Sequence, residues 1–199
     1  NREVDSTRLF IVEGMSAAGS LMQCRNPKID AVLPLRGKIL NVLNSTDEKT
    51  FKNKEILDMV NSIGVGTVHT GIHLNKIRYS KIVILTDADY DGFHIATLLM
   101  AAFIELIPDV VKEGLIYYAI PPLFGMKEKN KFVPLFDEQK AFKLIDQGKT
   151  LTRYKGLGEM NPDELQLAIL DDKYKKWLQV NYPENKEDRD YITGLFTSS

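Results

Sequence analysis

The run Lys81–Thr86 (KIVILT) constrains the fold of this chain more than any other segment. It is a continuous β-branched and apolar stretch without alternation, which is typical of a strand buried on both faces of a parallel sheet. A long apolar helix follows at roughly residues 94–111, and Leu115–Ile120 (LIYYAI) has the composition of a further strand. Strand, helix and strand in this order predict a right-handed βαβ crossover and hence a parallel sheet.

The rest of the chain extends this α/β pattern in both directions. Strands are predicted at Arg8–Val12 and Asp30–Leu35, and the helical spacing of Asn53–Ile63 is closed by Gly64. We therefore expect a parallel sheet flanked by helices over residues 8–122 and a smaller α+β tail over residues 123–199. Within the tail, the patterns predict a hairpin at Lys127–Phe136 turning near Lys129 and Asn130, an Asp-capped helix at Asp137–Asp146, a polar loop at Thr152–Met160 and a helix from Asn161 and Pro162.

Composition places the chain among ordinary globular proteins. Of its 199 residues, 44% are hydrophobic and 27% are charged, which suits one large domain or a domain with an appendage. The single Cys24 excludes an internal disulfide and favours a reducing, intracellular setting. The sequence has neither a membrane-spanning apolar run nor a signal peptide at its first residues, so we expect a soluble protein without a membrane partner. The net charge of −1 is not the basic excess typical of nucleic-acid binding, so any such contact must depend on local clusters.

Four acidic residues stand where two of the predicted strands end. Asp87, Asp89 and Asp91 alternate directly after Thr86, and Glu13 follows the first strand. Ligands bind beyond the carboxyl ends of the strands in open parallel sheets, so we expect the two strand ends to form one acidic site. Crowded carboxylates repel one another unless a cation neutralises them, and Mg²⁺ takes oxygen ligands together with water and phosphate. The spacing therefore predicts a magnesium site.

Three other interpretations fit parts of this cluster. A single aspartate after a strand is often only a turn former or a helix cap. The D-x-D-x-D-G pattern also matches the start of an EF-hand calcium loop, but its twelfth position is Leu98 in place of a bidentate Glu, and a strand precedes the loop. A phosphatase-type D-x-D site, with Asp87 as the phosphorylated nucleophile, gives Glu13 no role. Magnesium binding is the interpretation that uses all four acids.

Longer motifs occur in a fixed order along the chain. They are LFIVEGMSAAGS followed by LPLRGKILNV, then TDADYDGFHI, IPPLFG and RYKGLGEMNP. The two acidic motifs are similar to those of the TOPRIM domain that topoisomerases and primases share. The whole series resembles the B subunits of type IIA DNA topoisomerases, namely the gyrase B and topoisomerase IV B family. The resemblance runs from about Leu9 to Pro162 and continues more weakly through the tail. It also implies that the segment 152–162, which contains RYKGLGEMNP, packs back near the TOPRIM site.

This resemblance implies a fold and a chemistry. The implied fold is the TOPRIM (Rossmann-like) parallel sheet, in which Glu13 is the TOPRIM glutamate and Asp87, Asp89 and Asp91 are the metal-binding acids for one or two Mg²⁺. The ATP-dependent enzymes of the family cut both strands of a duplex through a tyrosine that becomes joined to the 5′ phosphate, pass another duplex through, and reseal the break. The expected catalytic residues are Glu13, Asp87 and Asp89, and Glu13 could return a proton to the 3′ oxygen or remove it for religation.

The family context also implies DNA contacts for basic residues. Arg36 and Lys38 in PLRGK, and Arg153 and Lys155 in RYKGLGE, lie on predicted turns from which they could reach phosphates. His94 could donate a hydrogen bond near the scissile phosphate. The alternative for each residue is a solvated surface charge. That alternative is preferred for four basic residues of the tail: Lys173, Lys175, Lys176 and Arg189.

Two positions depart from the family pattern. Met15 stands where the family usually has an aspartate, close to the place where quinolone-type inhibitors lie, so the response to these inhibitors is in doubt, whereas catalysis should survive. Cys24 stands where the family often has a small or polar residue, and we interpret it as a buried small hydrophobe. These departures favour a divergent lineage, for example a phage-encoded enzyme.

The 199 residues resemble only part of such a protein. No segment resembles the ATPase module of the family, and none of the eight tyrosines lies in a context like that of its nucleophile. We therefore expect ATP to bind in a module absent from this chain, and the tyrosine to come from a breakage-reunion subunit in a heterotetramer on double-stranded DNA. Alone, the chain should neither cleave nor relax DNA. The implied location is the cytoplasm of a bacterium or of a phage-infected cell.

Two hypotheses from other classes remain open. A TOPRIM primase or nuclease would use the same acids without a tyrosine partner, and PLRGK and RYKGLGEM argue against it. A binding module would retain the fold for protein contact alone, and the four intact acids argue against that. The motifs do not distinguish gyrase from topoisomerase IV or a phage enzyme, nor supercoiling from relaxation.

Overall fold

The computed structural model describes residues 6–36, 39–129, 131–188 and 190 of the chain. Its strands are β1 (Arg8–Glu13), β2 (Asp30–Leu35), β3 (Lys81–Leu85), β4 (Ile116–Ala119), β5 (Phe124–Glu128), β6 (Lys131–Leu135), β7 (Leu151–Arg153) and β8 (Trp177–Gln179). Its α-helices are α1 (Met15–Cys24), α2 (Asp47–Thr50), α3 (Lys54–Ile63), α4 (Tyr90–Leu106), α5 (Pro108–Lys112), α6 (Glu138–Asp146) and α7 (Pro162–Leu165). Within the described residues, no helix is long and apolar enough to cross a membrane.

The main sheet has five strands in the order β2-β1-β3-β4-β8. Strands β2, β1, β3 and β4 are parallel to one another, which confirms the predicted α/β class with a parallel sheet. The fifth strand, β8, comes from the tail and pairs antiparallel with β4. The indole N–H of Trp177 in β8 donates to the carbonyl of Ile169 at 3.1 Å, and the indole ring packs edge-on against Phe10, so aromatic packing fixes this short strand.

Helix α4 connects β3 to β4 and begins earlier than predicted. Asp89 caps it by accepting a hydrogen bond from the N–H of Gly92 at 2.7 Å, so helical geometry starts at Tyr90. The predicted single helix is also interrupted. Ile107 leaves the helical conformation and Pro108 occupies the first position of α5, because proline has no N–H to continue the preceding helix.

The main sheet is buried on both faces, as the unbroken apolar run of β3 predicts. Ile82 and Ile84 point to a core formed with α3, α4 and α5. Val83 and Leu85 point to a second core formed with α1 and α7. Alternate residues of one strand thus serve opposite cores, and no polar face remains to produce an alternating pattern.

The smaller sheet has the order β6-β5-β7 and is antiparallel. The predicted hairpin is present as β5 and β6, although Asn130 at its turn lies outside the described residues. The predicted capped helix is also confirmed, since Asp137 accepts from the N–H of Lys140 at 3.0 Å at the start of α6. The predicted loop from Thr152 is in part strand β7, which at three residues is too short to have a recognisable period.

The segment after β7 packs on the main sheet. Tyr154, Leu157 and Met160 are buried in the second core, beside Phe10 and Val12 of β1. Helix α7 follows with the predicted cap, a capping box between Asn161 and Glu164 with Pro162 in its first position. The division into a domain ending at residue 122 and a separate tail stays a prediction.

A buried ion pair closes the edge of the main sheet at which its parallel strands begin, here called the amino edge. Arg8 starts β1 and Asp30 starts β2, and the two residues are partners in the register. The guanidinium binds both carboxylate oxygens, at 2.6 and 2.9 Å. The Asp30 side chain is fully buried, and the guanidinium also lies over the rings of Phe10 and Trp177.

Candidate functional site

Glu13 lies at the opposite end of β1, where the parallel strands end, here called the carboxyl edge. In the parallel register Val12 pairs with Leu85, so Glu13 is brought beside the residues that follow β3. The backbone N–H of Asp87 donates to Oε2 of Glu13 at 2.9 Å. The structure thus brings together the two strand ends that the sequence predicted as one acidic site.

The pKa of Glu13 is raised above its usual value. Burial is the largest cause, because a half-buried carboxylate has lost part of its hydration. The hydrogen bond from the Asp87 N–H opposes this effect, and repulsion by the charges of Asp87, Asp89 and Asp91 adds to it. Glu13 is therefore easier to protonate than an ordinary glutamate.

Asp87 is held by the loop that follows β7. Its Oδ1 accepts a hydrogen bond from the N–H of Leu157 at 2.7 Å. The pKa of Asp87 is raised, and burial is the largest cause. The hydrogen bond from the Leu157 N–H lowers this pKa, and the charges of Asp89 and Glu159 raise it further. A carboxylate from the end of β3 is thus oriented by a residue 70 positions later in the chain.

Asp89 and Asp91 lie in a more open setting at the start of α4. Asp89 is exposed and is the N-cap of α4, so the cap interpretation of a single aspartate holds for this residue. Asp91 is exposed in the first turn, where a negative charge is favoured by the helix dipole. Gly92 allows the helix to start close to β3, because a Cβ there would lie 2.3 Å from the carbonyl oxygen of Asp87.

The donor chemistry of the carboxyl edge fits Mg²⁺. Among the described residues, no three His, Cys, Asp or Glu side chains are grouped closely enough to hold a metal ion by themselves. The Glu13 carboxylate accepts from the backbone N–H of Asp87 and lies near enough to the Asp87 carboxylate for their charges to interact. Mg²⁺ is usually bound through one or two carboxylates, with water and phosphate as the other ligands. The calcium-loop interpretation is excluded, because Leu98 is buried in the first core and β3 precedes the loop.

The predicted DNA-contacting residues occupy three surface positions. Arg36 is exposed after β2, where its backbone N–H donates to Glu55 at 3.2 Å, and Lys38 lies outside the described residues. His94 is exposed in α4. Arg153 and Lys155 are exposed and line, together with Asp89, an open cavity of about 370 Å³. The structure therefore brings these two basic residues to the acidic site.

The basic residues of the tail that were predicted to be surface charges lie over aromatic rings. Lys175 is 4.7 Å from the centre of the Trp177 ring, Lys176 is 4.8 Å from that of Phe136, and Lys173 is 4.8 Å from that of Tyr174. Such contacts stabilise the tail locally and do not require a ligand. Arg189 lies outside the described residues.

Sequence reasoning did not predict the hydrogen bond from the Leu157 N–H to Asp87, by which the backbone of the RYKGLGE motif meets the carboxyl edge. It also missed two exposed aromatic residues beside the acids, Tyr90 (86% exposed) and Phe93 (65% exposed). Phe93 lines a cavity of about 250 Å³ with Asp87 and Asp89. The signal for the first was present in Gly156 and Gly158, since closely spaced glycines in a polar loop often mark a near approach of backbone.

The two positions that depart from the family pattern lie at opposite ends of α1. Met15 is half exposed in the first turn, beside the carboxyl edge. Cys24 is half-buried in the last turn, where its Sγ lies 3.5 Å from the carbonyl oxygen of Leu21. Burial raises the pKa of the Cys24 thiol to about 11, which agrees with its interpretation as an unreactive residue.

Comparison with known proteins identifies the family. The Toprim domain model matches residues 8–118, which is more than half of the chain. The chain belongs to the Toprim domain family. A second model, that of the carboxyl terminus of the DNA gyrase B subunit, matches residues 146–199 and follows the Toprim domain along the chain.

Full-length relatives extend this similarity beyond the Toprim domain. The DNA gyrase B subunit of Thermotoga maritima is 41% identical over 187 residues, which cover 92% of this chain and 29% of the relative. The DNA topoisomerase 4 B subunit of Rickettsia typhi is 44% identical over 183 residues, covering 88% of this chain and 28% of the relative. The predicted resemblance to these proteins is confirmed. The chain spans less than a third of the length of these curated relatives.

Proposed function

We propose that this chain is the Mg²⁺-binding part of an ATP-dependent type IIA DNA topoisomerase and supports the cleavage and religation of double-stranded DNA. The observation that carries the proposal is the meeting of Glu13 and Asp87 at the carboxyl edge, joined by the 2.9 Å hydrogen bond from the Asp87 N–H. Support also comes from the relatives, which are B subunits of DNA gyrase and of DNA topoisomerase 4.

In this proposal the acids of the carboxyl edge hold the cation. Glu13 and Asp87 would be the primary ligands, and Asp89 and Asp91 would contribute from the start of α4 to the binding of one or two ions. Bound Mg²⁺ supplies positive charge that stabilises negative charge on the scissile phosphate and on the departing 3′ oxygen. Burial is the main cause of the raised pKa of Glu13 and of Asp87, and the neighbouring carboxylates add to it, so a cation would relieve both effects.

The side chains of the chain supply proton transfer and DNA positioning. Glu13 returns a proton to the 3′ oxygen as the strand is cut and removes it again for religation. Arg36, Lys38, Arg153 and Lys155 bind phosphates and hold the duplex without reading its sequence. His94 donates a hydrogen bond near the scissile phosphate.

The remaining parts of the reaction come from outside this chain. We place the nucleophilic tyrosine on a breakage-reunion subunit that forms a heterotetramer with the subunit containing this chain, and ATP in a further module of that subunit. The activity is located in the cytoplasm of a bacterium or of a phage-infected cell. The chain alone is expected to bind Mg²⁺ and to leave DNA intact.

The proposal is tested by plasmid cleavage with the complete subunit and its tyrosine-bearing partner. Glu13→Gln and Asp87→Asn are each expected to reduce the rate of cleavage by about 100-fold or more, as removal of a proton-transfer group or of a metal ligand does. Glu48→Gln is a matched control, because this exposed carboxylate on α2 pairs with Lys52 on the surface of the described part of the chain. Cleavage and resealing at the parent rate by the Glu13 and Asp87 variants would refute the proposal.

A further inference from the structure

The loop between β7 and α7 approaches the carboxylate of Asp87 with its backbone. The N–H of Leu157 donates to Oδ1 of Asp87 at 2.7 Å. At Gly156 the approach is closer still, because a Cβ built there would lie 2.8 Å from Oδ2 and 3.0 Å from Cγ of Asp87. Both distances are shorter than van der Waals contact, so a side chain at this position would displace the carboxylate.

Glycine is needed at position 156 because the Asp87 carboxylate leaves no room for a Cβ, and not because of the backbone dihedral angles. Gly156 has φ −155° and ψ 164°, an extended conformation that every residue adopts without strain. The same loop is braced internally, since the carboxylate of Glu159 accepts from the N–H of Lys155 at 2.9 Å and Leu157–Glu159 forms a turn of 3₁₀-helix. A braced loop cannot retreat easily, so the strain of an added Cβ falls on Asp87.

We propose that Gly156 is a positioning residue, whose missing side chain allows the Leu157 N–H to fix the orientation of the Asp87 carboxylate at the carboxyl edge. One peptide donor restrains the carboxylate and leaves its other lone pairs for a cation. The role of Asp87 as a cation ligand rests on the proposed function, whereas its contact with Gly156 does not. The chain segment after β7 thereby takes part in the site that the ends of β1 and β3 begin.

The first test is a double-mutant cycle on the unfolding of the chain in urea without metal. Gly156→Ala is expected to lower the folding equilibrium constant by about tenfold, because a hydrogen bond to a charged group is lost or distorted. When Asp87 is already alanine, Gly156→Ala is expected to alter the folding equilibrium constant by less than about threefold, because the carboxylate that the new Cβ would meet is absent. Equal effects of Gly156→Ala in both backgrounds would overturn the proposal.

Gly158→Ala is the control within the same loop. A Cβ at this position meets the exposed Ser16 side chain, with 3.0 Å to its Oγ, and does not approach Asp87. Its effect on unfolding is therefore expected to be the same with and without the Asp87 carboxylate. A coupling of Gly158→Ala to Asp87 as large as that of Gly156→Ala would contradict a specific role for Gly156.

The second test separates positioning from a purely structural role. In the complete subunit with its partner, Gly156→Ala is expected to raise the Mg²⁺ concentration for half-maximal cleavage by about tenfold, with recovery of the rate at saturating Mg²⁺. Gly158→Ala should keep the parent requirement. An unchanged Mg²⁺ requirement in Gly156→Ala would overturn the positioning role. Parent-like cleavage by Asp87→Ala would instead refute the proposed function, and the unfolding cycle would still report on the contact between Gly156 and Asp87.

Discussion

The charged residues at the two ends of strand β1 have opposite surroundings: a partner of opposite charge at one end and further carboxylates at the other. At the amino edge, the fully buried carboxylate of Asp30 is bound at both oxygens by Arg8. At the carboxyl edge, Glu13 and Asp87 are half-buried beside two further aspartates, and the pKa of each is raised. A buried pair leaves neither charge uncompensated, whereas crowded like charges store a repulsion that a cation can relieve. The charges of the amino edge are thus satisfied within the fold, whereas those of the carboxyl edge fit the cation site proposed above.

The largest effect is expected from breaking the amino edge. Asp30→Ala should lower the free energy of unfolding by about 3–5 kcal/mol, because it leaves the partly buried guanidinium of Arg8 unpaired. Urea unfolding measures this change. At the carboxyl edge, Asp87→Asn keeps an acceptor for the Leu157 N–H and removes a repelling charge, so metal-free stability should be unchanged or higher.

The control for this comparison replaces both partners of the amino edge with apolar residues. Arg8→Met combined with Asp30→Leu should cost much less than Asp30→Ala alone, because no unpaired charge remains. If Asp30→Ala cost no more than Asp87→Asn, the contrast between the two edges would be wrong.

Helix α1 leads from the carboxyl edge back toward the amino edge, and Cys24 in its last turn allows a chemical test. Burial raises the pKa of Cys24 from 9.0 to about 11, and the charges of Asp163 and Asp30 add to the effect. Each tenfold loss of thiolate corresponds to one pH unit, so alkylation by iodoacetamide at pH 8 should be about 100-fold slower in the native chain than in urea. The native rate should continue to rise with pH up to about 11. Equal rates in native and unfolded chains would contradict this assignment.

A smaller effect is expected from relieving the repulsion at the carboxyl edge. Mg²⁺ at ten times its dissociation constant should raise the free energy of unfolding by about 1.4 kcal/mol, since it binds the folded chain alone. Glu13→Gln should reduce this gain, and Glu48→Gln should leave it intact. Thermal unfolding across a Mg²⁺ titration provides the measurement. Equal stabilisation of the parent and of the Glu13 variant would place the cation elsewhere.

The sequence predicted those parts of the molecule that depend on local pattern. The buried run of β3, the caps at Asp137 and Asn161, and the position of Glu13 beside the end of β3 all follow from residues near one another or from the parallel register. Strands β7 and β8 were not predicted. A segment of three residues is too short to show the alternation of apolar and polar residues that marks a strand, and it becomes a strand only when a distant partner strand is in place. The contact from Leu157 to Asp87 spans 70 positions and is set by packing of the tail on the sheet.

The buried ion pair was missed for a related reason. Arg8 and Asp30 are charged residues at predicted strand ends, where solvation is the usual outcome. Their burial requires Trp177 from β8 to cover the guanidinium, and nothing local to either residue indicates that cover. The four acids that were predicted to form a metal site could be singled out because their spacing after two strands is visible in the sequence itself.

The strand order also has a consequence for association. Among the described residues, the main sheet ends at β2 on one side and at β8 on the other. Proline has no N–H to offer another strand, and Pro34 lies within β2, while β8 presents only three residues. Neither border is a good template for intermolecular strand addition. The main sheet therefore resists extension by a strand of another molecule at both of its borders.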